Sequence, residues 1–513
     1  MYLAPEVPII LTNITLLFSW NLHQAMPSPV GTPINAGAPT RASASRRLAI
    51  APVLVLLLLV NLATGSLFQL PLTRLAEQSL CREYYGTRDP SIDPSKGISE
   101  ELCKVDEVQK GLAWIIGVME TCWILGDFIM TIPLGFLAEK YGRRAILWLN
   151  LTPRIFMLSW TIVVGFFGLS PKALVVGPIL SVLGGDCVFN SMTYYLASSL
   201  TDDYVLRATY FSWMSSVSYV VSFCGPALAG FLMTAKLLLP FWVGAVLLIL
   251  AVPTILVLPN PATPTLLNED DEQRQPLVSS PTLKARNASA SLMTPILERI
   301  RTLISTIRSR NLALLLVSFF LTSLASSDTK LLAQYISKRY HWTFASAGYL
   351  LSAKAIVNFI LLTVIVPGVI TSRRTVDHLQ SRALSDRANI RYAHICLAVS
   401  VLGALAIALA ATIPFLVGSL MLYALGSALP VFTLGLLKSP SVSPGEVDEQ
   451  DDDQTHIFSI VMMVKTLGSL VGAPLMAALW VHGIQTSTLG VPYFVSAVLY
   501  SATIGVFQGI SVG

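Results

Sequence analysis

Ionisable side chains stand inside long apolar stretches of this 513-residue sequence, among them Glu120, Arg154, Asp186, Lys354 and Lys465. A charge at the centre of a membrane costs roughly 2.5–3.5 kcal/mol, so each of these residues requires an opposite charge or a wet cavity. Carboxylates in such places can bind and release protons, and the cations can pair with them or with an anionic solute. The residue types therefore support ion pairing and proton transfer inside a membrane.

Glu120 and Asp186 have two interpretations. Each is either a proton carrier, whose protonation depends on the side of the membrane that is open, or the structural partner of Arg154. Arg154, Lys354 and Lys465 are candidates to meet a substrate, although the two lysines can also extend their ammonium groups to water. Asp127 follows Glu120 by two helical turns and is predicted to support the turn after this helix.

The sequence offers little for enzyme chemistry. It contains no Gly-x4-Gly-Lys-Ser/Thr phosphate loop, so we expect no use of ATP by the chain itself. Its six histidines are scattered singly, and we predict no metal and no cofactor. The acidic cluster from Glu446 to Asp453 is interpreted as a solvated loop, since nothing fixes its oxygens around a cation. A polytopic membrane enzyme and a receptor-like sensor remain as alternative functions.

Composition and apolar runs predict how these residues are positioned. Apolar residues make up 54% of the chain and charged residues only 12%, against about 25% charged in soluble proteins. Runs near 20 residues can cross a hydrocarbon core of about 30 Å. They predict an all-α integral membrane protein with twelve transmembrane helices at 48–70, 110–134, 146–169, 173–199, 209–233, 239–258, 311–328, 345–370, 392–412, 414–437, 458–480 and 490–511.

Lysine and arginine in the loops predict the orientation. Twenty of them fall on one side of the predicted spans and eleven on the other, the latter count including Lys330. Because cytoplasmic loops carry the excess, both termini are predicted to be cytoplasmic. The formal charge of +5 reflects this bias, so no nucleic-acid partner is expected.

Two predicted spans nearly repeat each other. Residues 211–233, FSWMSSVSYVVSFCGPALAGFLM, and 458–480, FSIVMMVKTLGSLVGAPLMAALW, belong to the fifth and eleventh spans. A six-plus-six duplication requires this placement. We predict four regions: a disordered cytoplasmic tail at 1–47, six-helix bundles at 48–258 and 311–513, and a cytoplasmic linker at 259–310, which is rich in Pro, Ser and charge.

The turn after the second span carries a family motif: Gly135-Phe-Leu-Ala-Glu139-Lys140-Tyr-Gly142-Arg143-Arg144. It resembles the G-x-L-[AS]-[DE]-[KR]-x-G-[KR]-[KR] loop of the major facilitator superfamily and occurs at the position that this family requires. The resemblance implies a conformational latch, formed by these residues together with Asp127. Gly225-Pro226 through Gly230 is similar to a motif of the superfamily's antiporters, although one of its paired glycines is missing.

The resemblance, which extends to fungal members of the superfamily, implies a secondary active transporter that works by alternating access. We expect proton-coupled export of a metabolite or toxic compound, with proton-coupled uptake as the alternative. The expected partners are a small-molecule substrate, protons and the lipid bilayer. The expected state is a monomer, in the plasma membrane rather than the vacuole or another internal membrane.

Cysteines and sequons add minor expectations. Cys81 and Cys103 share the predicted outer loop, 71–110, and the sequence leaves their pairing open. Candidate N-glycosylation sites are Asn13, Asn150 and Asn287. Asn150 falls inside a span and Asn287 in the cytoplasmic linker, so neither is expected to be modified.

Overall fold

The structure is a computed structural model that describes residues 50–88, 98–200, 204–258, 310–365, 382–437 and 450–510. All of them belong to one compact unit, Ala49–Gly513. The predicted tail, nearly all of the predicted linker and residues 446–449 of the acidic cluster lie outside the described residues. The rest of that cluster, expected in a solvated loop, belongs to the helix Gln450–Gln485, so the loop prediction is wrong there. The secondary structure of the described residues is helical throughout. Ten of the helices are long and apolar enough to cross a membrane, and two shorter apolar helices, Phe344–Ile360 and Ile413–Ala428, occupy the places of the eighth and tenth spans.

The first half, as we call residues 50–258, contains six spans, two of which are interrupted. The first span has a π-helical turn, Leu62–Ser66, and the fourth begins as a 3-10 helix. The helices are Ala51–Asn61 and Leu67–Arg88 in the first span, Asp106–Tyr141, Arg143–Phe167, Pro171–Leu183 and Asp186–Ser199 in the fourth span, Tyr204–Ala235, and Leu239–Val257.

The second half, residues 310–510, follows the same plan with its own interruptions. The seventh span passes through a 3-10 turn, Ser327–Leu331, before the helix resumes. The helices are Arg310–Ser326 and Leu332–Tyr340 in the seventh span, Phe344–Ile360 with the π-helical turn Leu361–Ile365, Arg382–Leu409, Ile413–Leu425 and Leu429–Leu437 in the tenth span, Gln450–Gln485, and Val491–Gln508.

Each half has its own apolar core. One cluster of buried residues runs from Ile50 to Leu258 and includes Phe344 from the other half. A second runs from Leu312 to Ile510 and includes Ala113. Burial of apolar side chains therefore stabilises each half separately, while Phe344 and Ala113 lie at the contact between them.

Two predicted spans end more than ten residues before the helices that carry them. The first span was expected to end at residue 70, before a long outer loop, but its helix continues through Pro71 to Arg88. Good helix formers follow this proline, among them Leu72, Arg74 and Ala76, and helices in membrane proteins tolerate proline. The seventh span was expected to end at residue 328, yet it continues to Tyr340, which places Lys330 inside the span rather than in an outer loop.

Candidate functional site

Arg154 and Asp186 form an ion pair between the third and fourth spans. Arg154 is 1% exposed, and its Nη2 donates to Asp186 Oδ1 at 2.8 Å. Its Nε donates to Asn150 Oδ1 at 3.0 Å and its Nη1 to Thr64 Oγ1 at 3.1 Å. The carboxylate differs from its partner because 65% of the Asp186 side chain is exposed. The cation is therefore fixed among protein atoms, whereas the carboxylate remains accessible.

A break in the fourth span places Asp186 at the start of a helix. Gly184 has a φ of +122°, in the left-handed region that favours glycine, and a Cβ there would lie 2.6 Å from the Asn150 amide nitrogen. The helix restarts at Asp186, so its first backbone N–H groups need acceptors. The buried carboxylate of Asp127 accepts from the N–H groups of Gly185 at 3.0 Å and of Cys187 at 2.7 Å. Asp127 thus caps the fourth span, in addition to the latch role implied by the motif.

Glu120 pairs across the two halves rather than with Arg154. Its Oε1 lies 3.3 Å from Lys330 Nζ, in the 3-10 turn of the seventh span. Gln69 of the first span donates its Nε2 to the same oxygen at 3.2 Å. Glu120 and Asp186 therefore have different partners. Asp186 is paired within the first half, whereas Glu120 is paired with a residue of the second half.

A third polar cluster lies inside the second half. Asp328 is fully buried, and its Oδ1 accepts from the Tyr423 hydroxyl at 3.0 Å. The Tyr500 hydroxyl lies 3.1 Å from that of Tyr423, and Lys354 Nζ stands 5.2 Å from the Tyr423 ring centroid. Lys354 thus lies over the ring whose hydroxyl donates to the Asp328 carboxylate.

Lys465 has no ion pair with another described residue. It is half-buried on the eleventh span, where its backbone carbonyl accepts from Ser323 Oγ of the seventh span at 2.6 Å. Sequence reasoning missed Asp328 and Lys330 as site residues because both stand where the seventh apolar run fades. The signal that could have found them is the apolar run that resumes at Leu331 and continues to Ile336.

A cavity of about 330 Å³ lies between the two halves. The first and fifth spans supply its walls from one half, and the seventh and eighth spans from the other. Lys330 and Gln69, the partners of Glu120, both line it. A second cavity, of about 280 Å³, lies between the fifth, eighth and tenth spans, and Ser222 lines both. The Glu120–Lys330 pair therefore stands beside a space between the halves.

The motif turn holds together the ends of spans in the first half. Gly142 has a φ of +88°, which lets the chain reverse between the second and third spans. The guanidinium carbon of Arg143 lies 3.1 Å from the ring centroid of Tyr195 on the fourth span. Arg144 Nε donates to the Ile255 carbonyl of the sixth span at 2.8 Å. Gly135 lies on the second span, while the side chains of Glu139 and Lys140 lie outside the described ones.

The opposite face of the bundle carries a disulfide, Cys81–Cys103, so we call it the disulfide face. Lys338 of the second half donates to Asp106 Oδ1 at 2.7 Å and also to the Lys104 carbonyl. The Phe344 N–H donates to Glu100 Oε1 at 2.8 Å. The two halves thus contact each other through polar groups at this face, which contains part of the predicted outer loop.

Of the three sequons, only Asn150 lies among the described residues. It is fully buried, and its Nδ2 donates to the Gly185 carbonyl at 2.9 Å while its Oδ1 accepts from Arg154. This amide positions the ion pair and has no room for a sugar.

Comparison with known proteins agrees with the fold. The sequence profile described as Major Facilitator Superfamily matches residues 105–473, well over half of the chain. The chain belongs to the major facilitator superfamily. It is a multi-pass membrane transporter of small molecules and not an enzyme, and the expected all-α fold of two six-helix halves is confirmed.

Fungal relatives share most of the chain at low identity. The MFS efflux pump atnC of Emericella nidulans is 24% identical over 86% of this chain and 83% of its own length. The MFS-type transporter aprT of Aspergillus flavus is 27% identical over 80% of this chain and 77% of its own length. The crystal structure of the human organic anion transporter MFSD10 superposes with a TM-score of 0.56, at 15% identity, over 90% of this chain and 99% of that one. The likeness to MFSD10 shows the fold alone.

Proposed function

We propose that this transporter is a proton-coupled exporter of a small organic metabolite or toxic compound, working as a monomer in the plasma membrane. The observation that carries the proposal is the pair of in-span carboxylates, Glu120 and Asp186, each bound to a cation. The partner cation of Glu120, Lys330, lines the cavity between the halves. The direction is supported by the fungal relative named an efflux pump.

The Glu120–Lys330 pair links proton uptake to movement of the halves. Lys330 belongs to the seventh span and Glu120 to the second, so their contact holds the two halves together. Protonation of Glu120 removes the charge that attracts Lys330 and weakens this contact. A proton can therefore alter the balance between conformations, as a coupled transporter requires.

Asp186 offers a second place for the proton. Its side chain is largely exposed, so a proton can reach it without unfolding of the bundle. Protonation leaves Arg154, which is almost fully buried, without its anionic partner. The resulting cost favours a conformation in which Arg154 finds another partner, and this too couples proton binding to conformation.

Two neutral variants test the coupling. An amide mimics the protonated acid, so Glu120→Gln or Asp186→Asn at the coupling residue should abolish gradient-driven flux while exchange of solute across a membrane without a gradient survives. Flux is measured in proteoliposomes with an imposed pH gradient. Glu101→Gln, an exposed position outside the spans, is the matched control and should behave as the natural chain. Normal gradient-driven flux in both amide variants would show that the coupling group lies elsewhere.

Proton-coupled uptake is the second candidate, and one observation favours it. Glu120 is ion-paired with Lys330. A solute with an anionic group therefore binds Lys330 most easily when Glu120 is protonated. Proton and solute then load together and move in the same direction. The pH change that accompanies solute flux distinguishes the two: exchange for protons alkalinises the compartment that receives the solute, and co-transport acidifies it.

A further inference from the structure

The wall of the larger cavity mixes apolar side chains with neutral polar ones and carries little formal charge. Neutral hydrogen-bonding side chains from the first and fifth spans line it, and among its described lining residues Lys330 alone carries a charge. Its volume of about 330 Å³ falls at the lower end of the range for small-molecule sites, roughly 300–1,000 Å³. The neutral lining residues that matter here are Asn61, Ser66, Gln69, Ser218 and Ser222.

Lys330 is the more accessible member of its ion pair. Its side chain is 47% exposed, against 20% for Glu120, and the two charged atoms stand 3.3 Å apart. Glu120 Oε1 also accepts from Gln69, so this carboxylate keeps a donor when the lysine turns away. A solute that enters the cavity therefore meets the ammonium group before it meets the carboxylate.

The other cations near the centre are less available. Arg154 is 1% exposed and already donates to three side chains. Lys354 lies over the Tyr423 ring in the second half. Neither Lys354 nor Lys465 lines this cavity. Among the cations of the described spans, Lys330 is the one that an entering anion can reach here.

We propose that this cavity binds solutes that carry an anionic oxygen group, a carboxylate, sulfonate or phosphate, through Lys330, with Glu120 as the internal competitor for the same ammonium. The proposal rests on the proposed function, because it takes this cavity as the solute path. With the proton on Glu120 the arrangement favours co-transport, whereas proton-driven export requires the proton on Asp186 instead. A charge-assisted hydrogen bond from Lys330 holds the anion, and the neutral hydroxyl and amide groups orient the rest of the solute. A cationic solute is repelled by the same lysine.

The electrostatic potential in the cavity can be measured without a known substrate, through the reactivity of a cysteine placed there. Ser222 is exposed in the cavity, so Ser222→Cys is made in the full chain with the four free cysteines changed to alanine, which leaves the disulfide intact. The probes are two methanethiosulfonates, one with an anionic sulfonatoethyl group and one with a cationic trimethylammonium-ethyl group. For each reagent, the rate of labelling at position 222 is divided by the rate at which the same reagent labels free 2-mercaptoethanol. The normalised rate of the anionic reagent divided by that of the cationic reagent is the readout.

We expect a ratio above one in the reporter chain. Lys330→Gln should lower it, by about tenfold if the reagent's charge comes within about 6 Å of Lys330 Nζ, because a unit charge at that separation acts in opposite directions on the two reagents even at the dielectric constant of water. Lys330→Arg should preserve the ratio, and Glu120→Gln should raise it, since the competitor is removed. Lys236→Gln removes a positive charge from an exposed loop and serves as the control that should change nothing.

Three results would overturn the proposal: a cysteine at position 222 that neither reagent labels, a ratio below one, or a ratio that Lys330→Gln leaves unchanged. Elution of each variant as a single symmetrical peak shows that it is folded. The measurement requires no flux, so its failure would leave gradient-driven transport standing. Conversely, a failure of the coupling experiment on Glu120 and Asp186 would not alter the labelling ratio.

Discussion

The central ion pair predicts unequal costs for the loss of its two members. Arg154 is 1% exposed and Asp186 is 65% exposed in its side chain. In Asp186→Ala the guanidinium stays among protein atoms with no anion. Breaking a buried pair from one side costs about 3–5 kcal/mol, and we expect about 2–3 kcal/mol here because water can enter the space that the carboxylate leaves.

The opposite change should cost less. Arg154→Met keeps most of the side-chain volume, and the exposed carboxylate of Asp186 retains its water. The main loss is the hydrogen bond from Arg154 to the buried Asn150 Oδ1, which should lower the free energy of unfolding by about 1–2 kcal/mol. The double variant Asp186→Ala/Arg154→Met should be more stable than Asp186→Ala alone, since it contains no unpaired buried charge.

Thermal unfolding of the purified chain in detergent measures this order. The midpoint should fall most in Asp186→Ala, less in Arg154→Met, and recover in part in the double variant. If Arg154→Met loses as much stability as Asp186→Ala, the carboxylate rather than the guanidinium carries the burial cost and the reasoning is wrong. If the double variant shows the full sum of both losses, the two side chains are not coupled.

Three further outcomes follow from other contacts. Gly468→Ala should lower the yield of folded protein, because its Cβ would lie 2.6 Å from the Phe320 carbonyl of the seventh span, whereas Gly505→Ala has open space and should be tolerated; size-exclusion yield compares them. Cys103→Ser should lower the free energy of unfolding by about 2–4 kcal/mol and remove any effect of reductant on the unfolding midpoint. If reductant does not change the midpoint of the natural chain, the disulfide does not stabilise it. A tag after Gly513 or within 259–310 should be unreachable in intact cells and Asn287→Gln should leave gel mobility unchanged; labelling from outside would refute the topology.

The need of charged side chains within apolar runs for a partner was predictable from the sequence. Arg154 and Asp186 stand in apolar runs, so each had to find a partner, and the structure pairs them. The motif at 135–144 likewise indicated the family, since its glycines and arginines occur where a tight cytoplasmic turn is required.

The choice of partner for Glu120 was not predictable. Lys330 lies 210 residues further along the chain, in a 3-10 turn within the seventh span. Because hydrophobicity falls at this turn, the sequence predicted a loop there. Asp328 was missed for the same reason. Local hydrophobicity cannot distinguish a charge at the end of a span from a charge in a break within it, because tertiary contacts decide which occurs.

Gradient-driven flux tests the central claim most directly. Solutes from a panel of neutral and anionic metabolites that bind the purified chain are supplied to proteoliposomes with an imposed pH gradient and no nucleotide. We expect at least one anionic solute to accumulate against its own gradient, a protonophore to abolish the accumulation, and Glu120→Gln to reduce it while exchange persists. Accumulation that appears only after ATP is added, or bound solutes that never cross the membrane under any gradient, would contradict transport by proton-coupled alternating access.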